Sequence, residues 1–475
     1  MIYWKDACIK IRTNVLLDQV NLTLQKGQPL GIIGPNGTGK TVLAKAIAGL
    51  MPVFGNVEPS PNTLKTAYVS FQSSLRLKNG GATYRQQRWN NLDAEMVPVV
   101  KDELQYSQNK ESLDPLIKKF NFEELLDSFV ISLSNGEQRK MELIRALSSH
   151  PDLVIIDNAF NGLDSGSRVI LSNLLEELIH DKQTIVMTGL IKEDFPESFQ
   201  HFIQLSKDEK PQMKLRSEIQ ENYRNESFAF KDVPVWKNSG FTEIIGMENV
   251  CLNYGDKSIL KDINWQVNAS EHWVLSGQNG SGKTSLLNMI FADNPKAYGC
   301  NIRLFGKQKG SGETIWDIKN KIGFISPELH QYLPSGQLVI QVICSGLFDS
   351  EGLYIKPTTY QEGLAKQWLK LIGYSSLANK EFSTLSASEQ RIVLLIRTLI
   401  KNPPLLLLDE PFQGLDPVNI SKIQNLIDNV AGQTNCAMIF VSHFKHEIPA
   451  SFDRELQLSD GEVVFSGKRN LKPDL

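Results

Sequence analysis

The chain has 475 residues, which at roughly 100 to 200 residues per domain allows two to four domains and excludes a single small one. Hydrophobic residues make up 41% and charged residues 22%, the balance of a folded globular protein and not of a disordered or collagenous chain. The formal net charge of -3 lacks the basic excess that draws a protein to nucleic acid, and the five scattered cysteines contain no CxxC pair, which argues against a zinc cluster or disulfide framework and fits a reducing cytosolic compartment.

The opening residues MIYWKDACIKIRTNVLL carry charges where a secretory signal would be continuously apolar, and no aliphatic run approaches bilayer-spanning length. A membrane role would therefore need a partner. The first strong motif, GPNGTGKT, starts at Gly34 between an apolar run and a helical pattern; a second, GQNGSGKT, starts at Gly277, 243 residues later. LSNGEQRK from Leu133 and LVIIDNAFNGLD from Leu153 return as LSASEQRI from Leu385 and LLLLDEPFQGLD from Leu405, both offset by 252. The chain thus reads as one domain duplicated. In each half, buried-strand runs alternate with helical patterns, which predicts an α/β core of parallel strands with crossover helices, and stretches such as QEGLAKQWLKLIGYSSLA predict an inserted helical part. Residues from about 206 to 243 show no apolar periodicity and carry seven Lys/Arg against seven Asp/Glu, the signature of a charge-balanced linker. The expected division is 1–206, a linker at 207–243, and 244–475.

The pattern GxxxxGK[ST] wraps nucleotide phosphates with successive backbone N–H groups that lead into a helix N-terminus, and glycine lets the main chain come close. Two ordinary turns would not repeat it in register. Gly34, Pro35, Asn36, Gly37, Thr38, Gly39, Lys40 and Thr41 form the first candidate loop; Gly277, Gln278, Asn279, Gly280, Ser281, Gly282, Lys283, Thr284 and Ser285 form the second. Lys40 and Lys283 would reach the β- and γ-phosphates of ATP, and the hydroxyls of Thr41 and Thr284 would hold Mg²⁺. Asp157 and Asp409 each end an aliphatic strand and supply the second metal contact. Alone, an aspartate at a strand end is usually a cap; downstream of a phosphate loop in both repeats it is a metal ligand.

The order of phosphate loop, glutamine after a strand, LSxGE, apolar run ending in DE, GLD and a late histidine resembles the ATP-binding cassette (ABC) ATPases. The resemblance implies two P-loop NTPase domains in tandem, each with a RecA-like parallel-sheet core, an antiparallel β part and a helical subdomain. It also implies a head-to-tail pair, formed within one monomeric chain, in which each ATP lies between one half's loop and the other half's LSxGE helix, here Ser134 and Gly136 or Ser386 and Ser388. By the same resemblance Glu410 polarises the attacking water, His443 senses the γ-phosphate, Tyr254 stacks on adenine, and Gln72 contacts the metal, with Glu328 in that glutamine's place in the second half. The first half carries Asn158, Gly189 and Ile11 where the second has Glu410, His443 and Tyr254. Since asparagine cannot take a proton, one site is expected to hydrolyse ATP and the other to bind it and turn over slowly. Gly136 is of consensus type and Ser388 is not, and a side chain there is expected to obstruct the approach of that helix to phosphate.

The string RLFGKQKGSGETIWDIKNKIGFIS from Arg303 is similar to that of the ModF group, also called photorepair protein PhrA, a group with a molybdenum-transport label. GSGE at Gly310 lacks the lysine of a phosphate loop and reads as a turn. The resemblance implies a cytoplasmic ATPase, peripheral at the inner membrane where its helical subdomains dock on a permease, which it energises or regulates. The alternative is a translation-associated ATPase resembling the ABC-F group. Against that, the 206–243 segment is short and charge-balanced, and TYRQQRW (Thr83 to Trp89) reads as a solvated helix face, so no nucleic-acid partner is expected.

Overall fold

In the computed structural model the described residues are 2–58, 64–70, 98–130, 133, 135–160, 163, 165–206, 209–219, 230, 233–234, 240–255, 257–327, 329, 333–334, 336–350 and 352–469. Gln72, the 83–89 segment, Ser134 and Glu328 lie outside them. The chain divides into two units, Met1–Glu221 and Asn222–Leu475.

The first unit runs β1 Ile2–Ile11, β2 Asn14–Leu24, β3 Leu30–Ile33, α1 Lys40–Ile47, β4 Val53–Glu58, β5 Thr66–Ser70, α2 Val100–Glu103, α3 Lys110–Lys119, α4 Asn135–Leu147, β6 Leu153–Asp157, α5 Ser165–His180, β7 Thr184–Gly189, β8 His201–Gln204 and β9 Gln212–Leu215. The second runs β10 Glu243–Tyr254, β11 Lys257–Asn268, β12 His272–Gly277, α6 Lys283–Ile290, β13 Ile302–Leu304, β14 Lys307–Gln308, α7 Ile315–Lys319, β15 Ile322–Ile325, α8 Val339–Ser345, α9 Thr359–Leu371, α10 Ala387–Leu399, β16 Leu405–Asp409, α11 Pro417–Gln433, β17 Ala437–Val441, β18 Arg454–Ser459 and β19 Glu462–Lys468. Each unit holds one six-stranded sheet, β5-β6-β7-β3-β8-β9 or β15-β16-β17-β12-β18-β19, parallel except for its last strand, and one smaller antiparallel sheet, β2-β1-β4 or β11-β10-β13-β14.

The parallel sheets are covered on both faces, which is why their strands are apolar without alternation. In β16, Leu405 and Leu407 pack with α6 and the antiparallel strands, while Leu406 and Leu408 pack with the helical part around Trp368, Val342 and Ile396. The period of two then puts Asp409 on the same face as Leu405 and Leu407, the face that carries the phosphate-loop helix. The first unit repeats this: Leu153 and Ile155 pack with α1, Val154 and Ile156 with the helical part, and Asp157 follows on the α1 side. The stretch expected to be helical, QEGLAKQWLKLIGYSSLA, forms α9, started by a capping box in which the Thr358 hydroxyl accepts from the Gln361 N–H.

The linker differs from expectation at both ends. Residues 212–215 form β9, an antiparallel edge strand on β8, and Ile219 is buried in the first core. Phe230 is buried in the second unit's core. A four-residue edge strand and two isolated apolar residues are too brief to register as periodicity, so the charge balance dominated the reading.

Trp368 is fully buried at the centre of the helical part. Trp368→Ala is expected to cost about 3 to 5 kcal/mol, and Trp368→Phe much less because most of the aromatic volume stays. Urea unfolding checks this; equal losses would show that the ring does not anchor that core.

Candidate active site

Both phosphate loops are closed by the same backbone device. Gly39 and Gly282, the residues before α1 and α6, adopt φ of 97° and 101°, and no side chain caps either helix. The first amide donors of each helix are thus left for an outside acceptor. At the loop starts, a Cβ on Gly34 would lie 2.2 Å from the Leu205 carbonyl oxygen, and one on Gly277 2.3 Å from that of Leu458, so the glycines are required by the next strand of the sheet. Lys40 Nζ donates to the carbonyls of Gly34 (2.7 Å) and Pro35 (2.8 Å); Lys283 Nζ donates to those of Gly277 (2.7 Å) and Gln278 (2.9 Å). Asn36, Gly37, Asn279 and Gly280 form the rims of the two loops; Thr38 and Ser281 are buried beneath them, and Ser285 lies half-buried on α6.

The strand-end carboxylates are treated differently in the two units. Asp157 accepts three hydroxyl hydrogen bonds: Thr41 Oγ1 to Oδ2 (2.8 Å), Tyr68 Oη to Oδ2 (2.8 Å) and Thr188 Oγ1 to Oδ1 (2.6 Å). Burial, then the charge of Asp157 and its hydrogen bond, push the Tyr68 phenol up, so it remains a donor. Strand register aligns Phe324 with Tyr68, and Phe324 brings no hydroxyl. Strand register aligns Val441 with Thr188, and Val441 brings no hydroxyl either. Asp409 therefore has no side-chain donor among the described residues. Burial, then the neighbouring Glu410 charge, push its carboxyl up to about 7, against the opposing pull of Arg391, Lys283 and His443. An oxygen-rich, buried carboxylate beside the exposed Thr284 is a fitting pair of ligands for a hard divalent cation, and Thr41 touching Asp157 is its counterpart.

Beyond Asp409 the chain turns sharply. Glu410 has a φ of 45° and Asn158, its counterpart, 57°, a left-handed conformation that asparagine adopts more readily than glutamate. Glu410 Oε1 lies 3.1 Å from His443 Nε2, so the two groups expected to act on water and γ-phosphate meet. In the first unit the Asn158 N–H donates to Thr188 Oγ1 (2.9 Å), and a Cβ on Gly189 would lie 2.6 Å from the Phe195 ring. Strand register corrects the expected pairing of Gly189 with His443: Gly189 is the counterpart of Ser442, and Leu190 stands where the second unit has His443. Tyr254 ends β10 with its hydroxyl accepting from Asn294 Nδ2 (2.9 Å) and Lys296 Nζ 4.4 Å from its ring centroid; Ile11 in the first unit is half-exposed.

At the helix starts, Ser386 caps α10 reciprocally with Glu389, and the Ser388 side chain is buried with its hydroxyl donating to the Gly414 carbonyl (3.3 Å) of the same unit. At Gly136 a Cβ would meet Ser167 Oγ at 2.9 Å. Sequence reading also missed Tyr68 and Thr188, whose only signal was their alignment with Phe324 and Val441. The GSGE turn is sealed by its own glutamate: the Glu313 carboxylate accepts from the Gly310 and Ser311 N–H groups and the Ser311 hydroxyl.

The sequence profile of the ABC transporter family matches residues 17–161 and 260–413, so both glycine loops and both strand-end aspartates fall inside it. The ABC transporter ATP-binding protein ModF of Escherichia coli is 34% identical over 92% of this chain and 92% of its own length. An uncharacterized ABC transporter ATP-binding protein of Schizosaccharomyces pombe, C323.04, is 30% identical over 95% of this chain and 96% of its own. Among solved structures, archaeal ribosome recycling factor aABCE1, in complex with the ribosomal stalk protein aP1, matches with a TM-score of 0.59 at 17% identity over 98% of this chain and 90% of that one, a likeness of fold alone. The chain belongs to the ABC transporter family, as a tandem pair of ATP-binding cassettes of the ModF group. It is an ATP-binding and ATP-hydrolysing protein in which, among the described residues, no helix is long and apolar enough to cross a membrane.

The contrast between the two aspartates gives opposite expectations for one substitution. A carboxyl raised above its ordinary 3.8 favours the folded state only where the folded protein holds the proton, so the contribution of Asp409 to stability falls as pH rises from about 4 to about 7 and is a net cost above that. Asp409→Asn should raise the melting temperature of nucleotide-free protein at pH 8, by an amount that shrinks toward pH 5. Asp157→Asn replaces an acceptor of three hydroxyls and should cost about 1 to 3 kcal/mol. Thermal melts across that pH range decide; a shift of the same sign in both variants would contradict the electrostatic account.

Proposed function

We propose that the second unit's loop is the hydrolytic centre of this ATPase and that the first unit's loop retains ATP with little turnover. The observation that carries the reading is the Glu410–His443 contact at 3.1 Å, set against Asn158 and Leu190 at the corresponding positions of the first unit. Glu410 is an acceptor placed one residue beyond the metal-binding carboxylate, where it takes the proton of an attacking water; an N–H on Nε2 of His443 donates to that carboxylate and orients it. Lys283 exchanges its loop carbonyls for phosphate oxygens, and the uncapped amides of α6 take up the remaining charge. Mg²⁺ would be held by Thr284 and Asp409, and by Thr41 and Asp157 in the first unit; when bound it neutralises charge on the β- and γ-phosphates.

A positioned general base contributes about 10² to 10⁴ in rate. Glu410→Gln should therefore lower steady-state ATP hydrolysis by at least two orders of magnitude while nucleotide binding persists, and Asn158→Ala should leave the rate within about threefold, since Asn158 takes no proton. Near-wild-type hydrolysis in Glu410→Gln would overturn the assignment.

The ATPase is read as energising or regulating a transport process, because the relative that matches along nearly its whole length is an ABC transporter ATP-binding protein. A translation-associated role is the competing reading. Solute selectivity resides in channel-lining segments, so no substrate is assigned. Sedimentation of the ATP-trapped Glu410→Gln protein with membranes is expected; its recovery with ribosomes instead would favour the competing role.

A further inference from the structure

Helix α10 begins at Ala387 with the serine pair Ser386 and Ser388, and its fifth residue, Arg391, points into the sheet. The guanidinium is buried and donates to four main-chain carbonyls: Nη1 to Ser326 (2.7 Å), Nε to Pro411 (3.0 Å), and Nη2 to Asp409 (3.2 Å) and Glu410 (2.6 Å). Three of these carbonyls belong to Asp409, Glu410 and Pro411; the fourth, of Ser326, directly follows β15. A left-handed glutamate holds its conformation only where its surroundings over-determine it, and here the carbonyl of Glu410 itself takes the shortest of the four bonds. Burial lowers the guanidinium to about 10, so it stays charged at neutral pH.

We propose that Arg391 is a positioning residue for the hydrolytic centre, which fixes the main chain under Glu410 and ties the direction of its carboxylate to the placement of helix α10. This rests on the reading of Glu410 as general base. A lysine cannot substitute, because an ammonium on a flexible stem lacks the planar fork that spans two segments.

Arg391→Lys is tested with Arg397→Lys as the control. Arg397 is a second buried arginine of the same helix, whose partners include Ser345 Oγ (3.0 Å) and the Ser350 carbonyl (2.8 Å) in the helical part. Hydrolysis is measured under single-turnover conditions and normalised to sites titrated with a non-hydrolysable ATP analogue, so that misfolded protein drops out. Arg391→Lys is expected to lower the hydrolysis rate by about tenfold or more, through loss of orientation at the base, while the Kd for the analogue moves by less than about twofold. Arg397→Lys should keep the rate, and Arg391→Lys added to Glu410→Gln should bring no further loss, since both act through one group. A wild-type rate for Arg391→Lys beside a silent Glu410→Gln overturns the positioning role alone; full activity of Glu410→Gln overturns the base assignment. Equal losses in the two arginine variants, or multiplicative losses in the double variant, also reject the proposal.

Discussion

Two adjacent acids at the end of a strand of four leucines are the constraint around which the second unit is arranged. Taking a carboxylate out of water is costly, and Asp409 is almost completely enclosed beside Glu410. Arg391, Lys283 and His443 surround the pair from three different elements, and each is held by main-chain or carboxylate oxygen. Without nucleotide this charge is only partly balanced, which is why the Asp409 carboxyl sits near neutrality. The site stores a preference for a cation and a phosphate group in the same few atoms that would handle them.

The first unit relieves the same constraint by a different route. Its acid pair is reduced to one, Asn158 standing where Glu410 would be, and the remaining carboxylate is saturated by hydroxyls from three elements. The fold is retained nearly strand for strand, including the loop and its lysine. What has changed is the electrostatic tension at the strand end, from an under-compensated pair to a satisfied single charge. Binding and turnover are thus separable properties of one architecture: the backbone of the loop supplies the first, and a handful of side chains the second.

Much of this was legible in the residues because backbone sterics leave few alternatives. The glycine loops, the strand-end aspartates and the loss at 158 could be read directly, since each depends on residue type at a fixed spacing. The histidine's counterpart was misplaced by one, because α11 is one residue longer than α5 and shifts the later strands. The rest was hidden for physical reasons. Tyr68 reads as one more aromatic on a strand, and only the sheet register brings its hydroxyl to Asp157, 89 residues away. Arg391 looks like any cation on an amphipathic helix until burial shows it reaching four carbonyls. The inward direction of the Ser388 hydroxyl was not legible, because it depends on the neighbouring loop. The strand at 212–215 escaped because its partner, β8, supplies the order that its own sequence lacks.

The hydroxyls around Asp157 mean that two side chains alone would not convert the first site. With glutamate at 158 and histidine at 190, Tyr68 and Thr188 would still hold Asp157 from the two strands beside it. The difference between the halves is spread across the sheet and not confined to the residues that would face a phosphate.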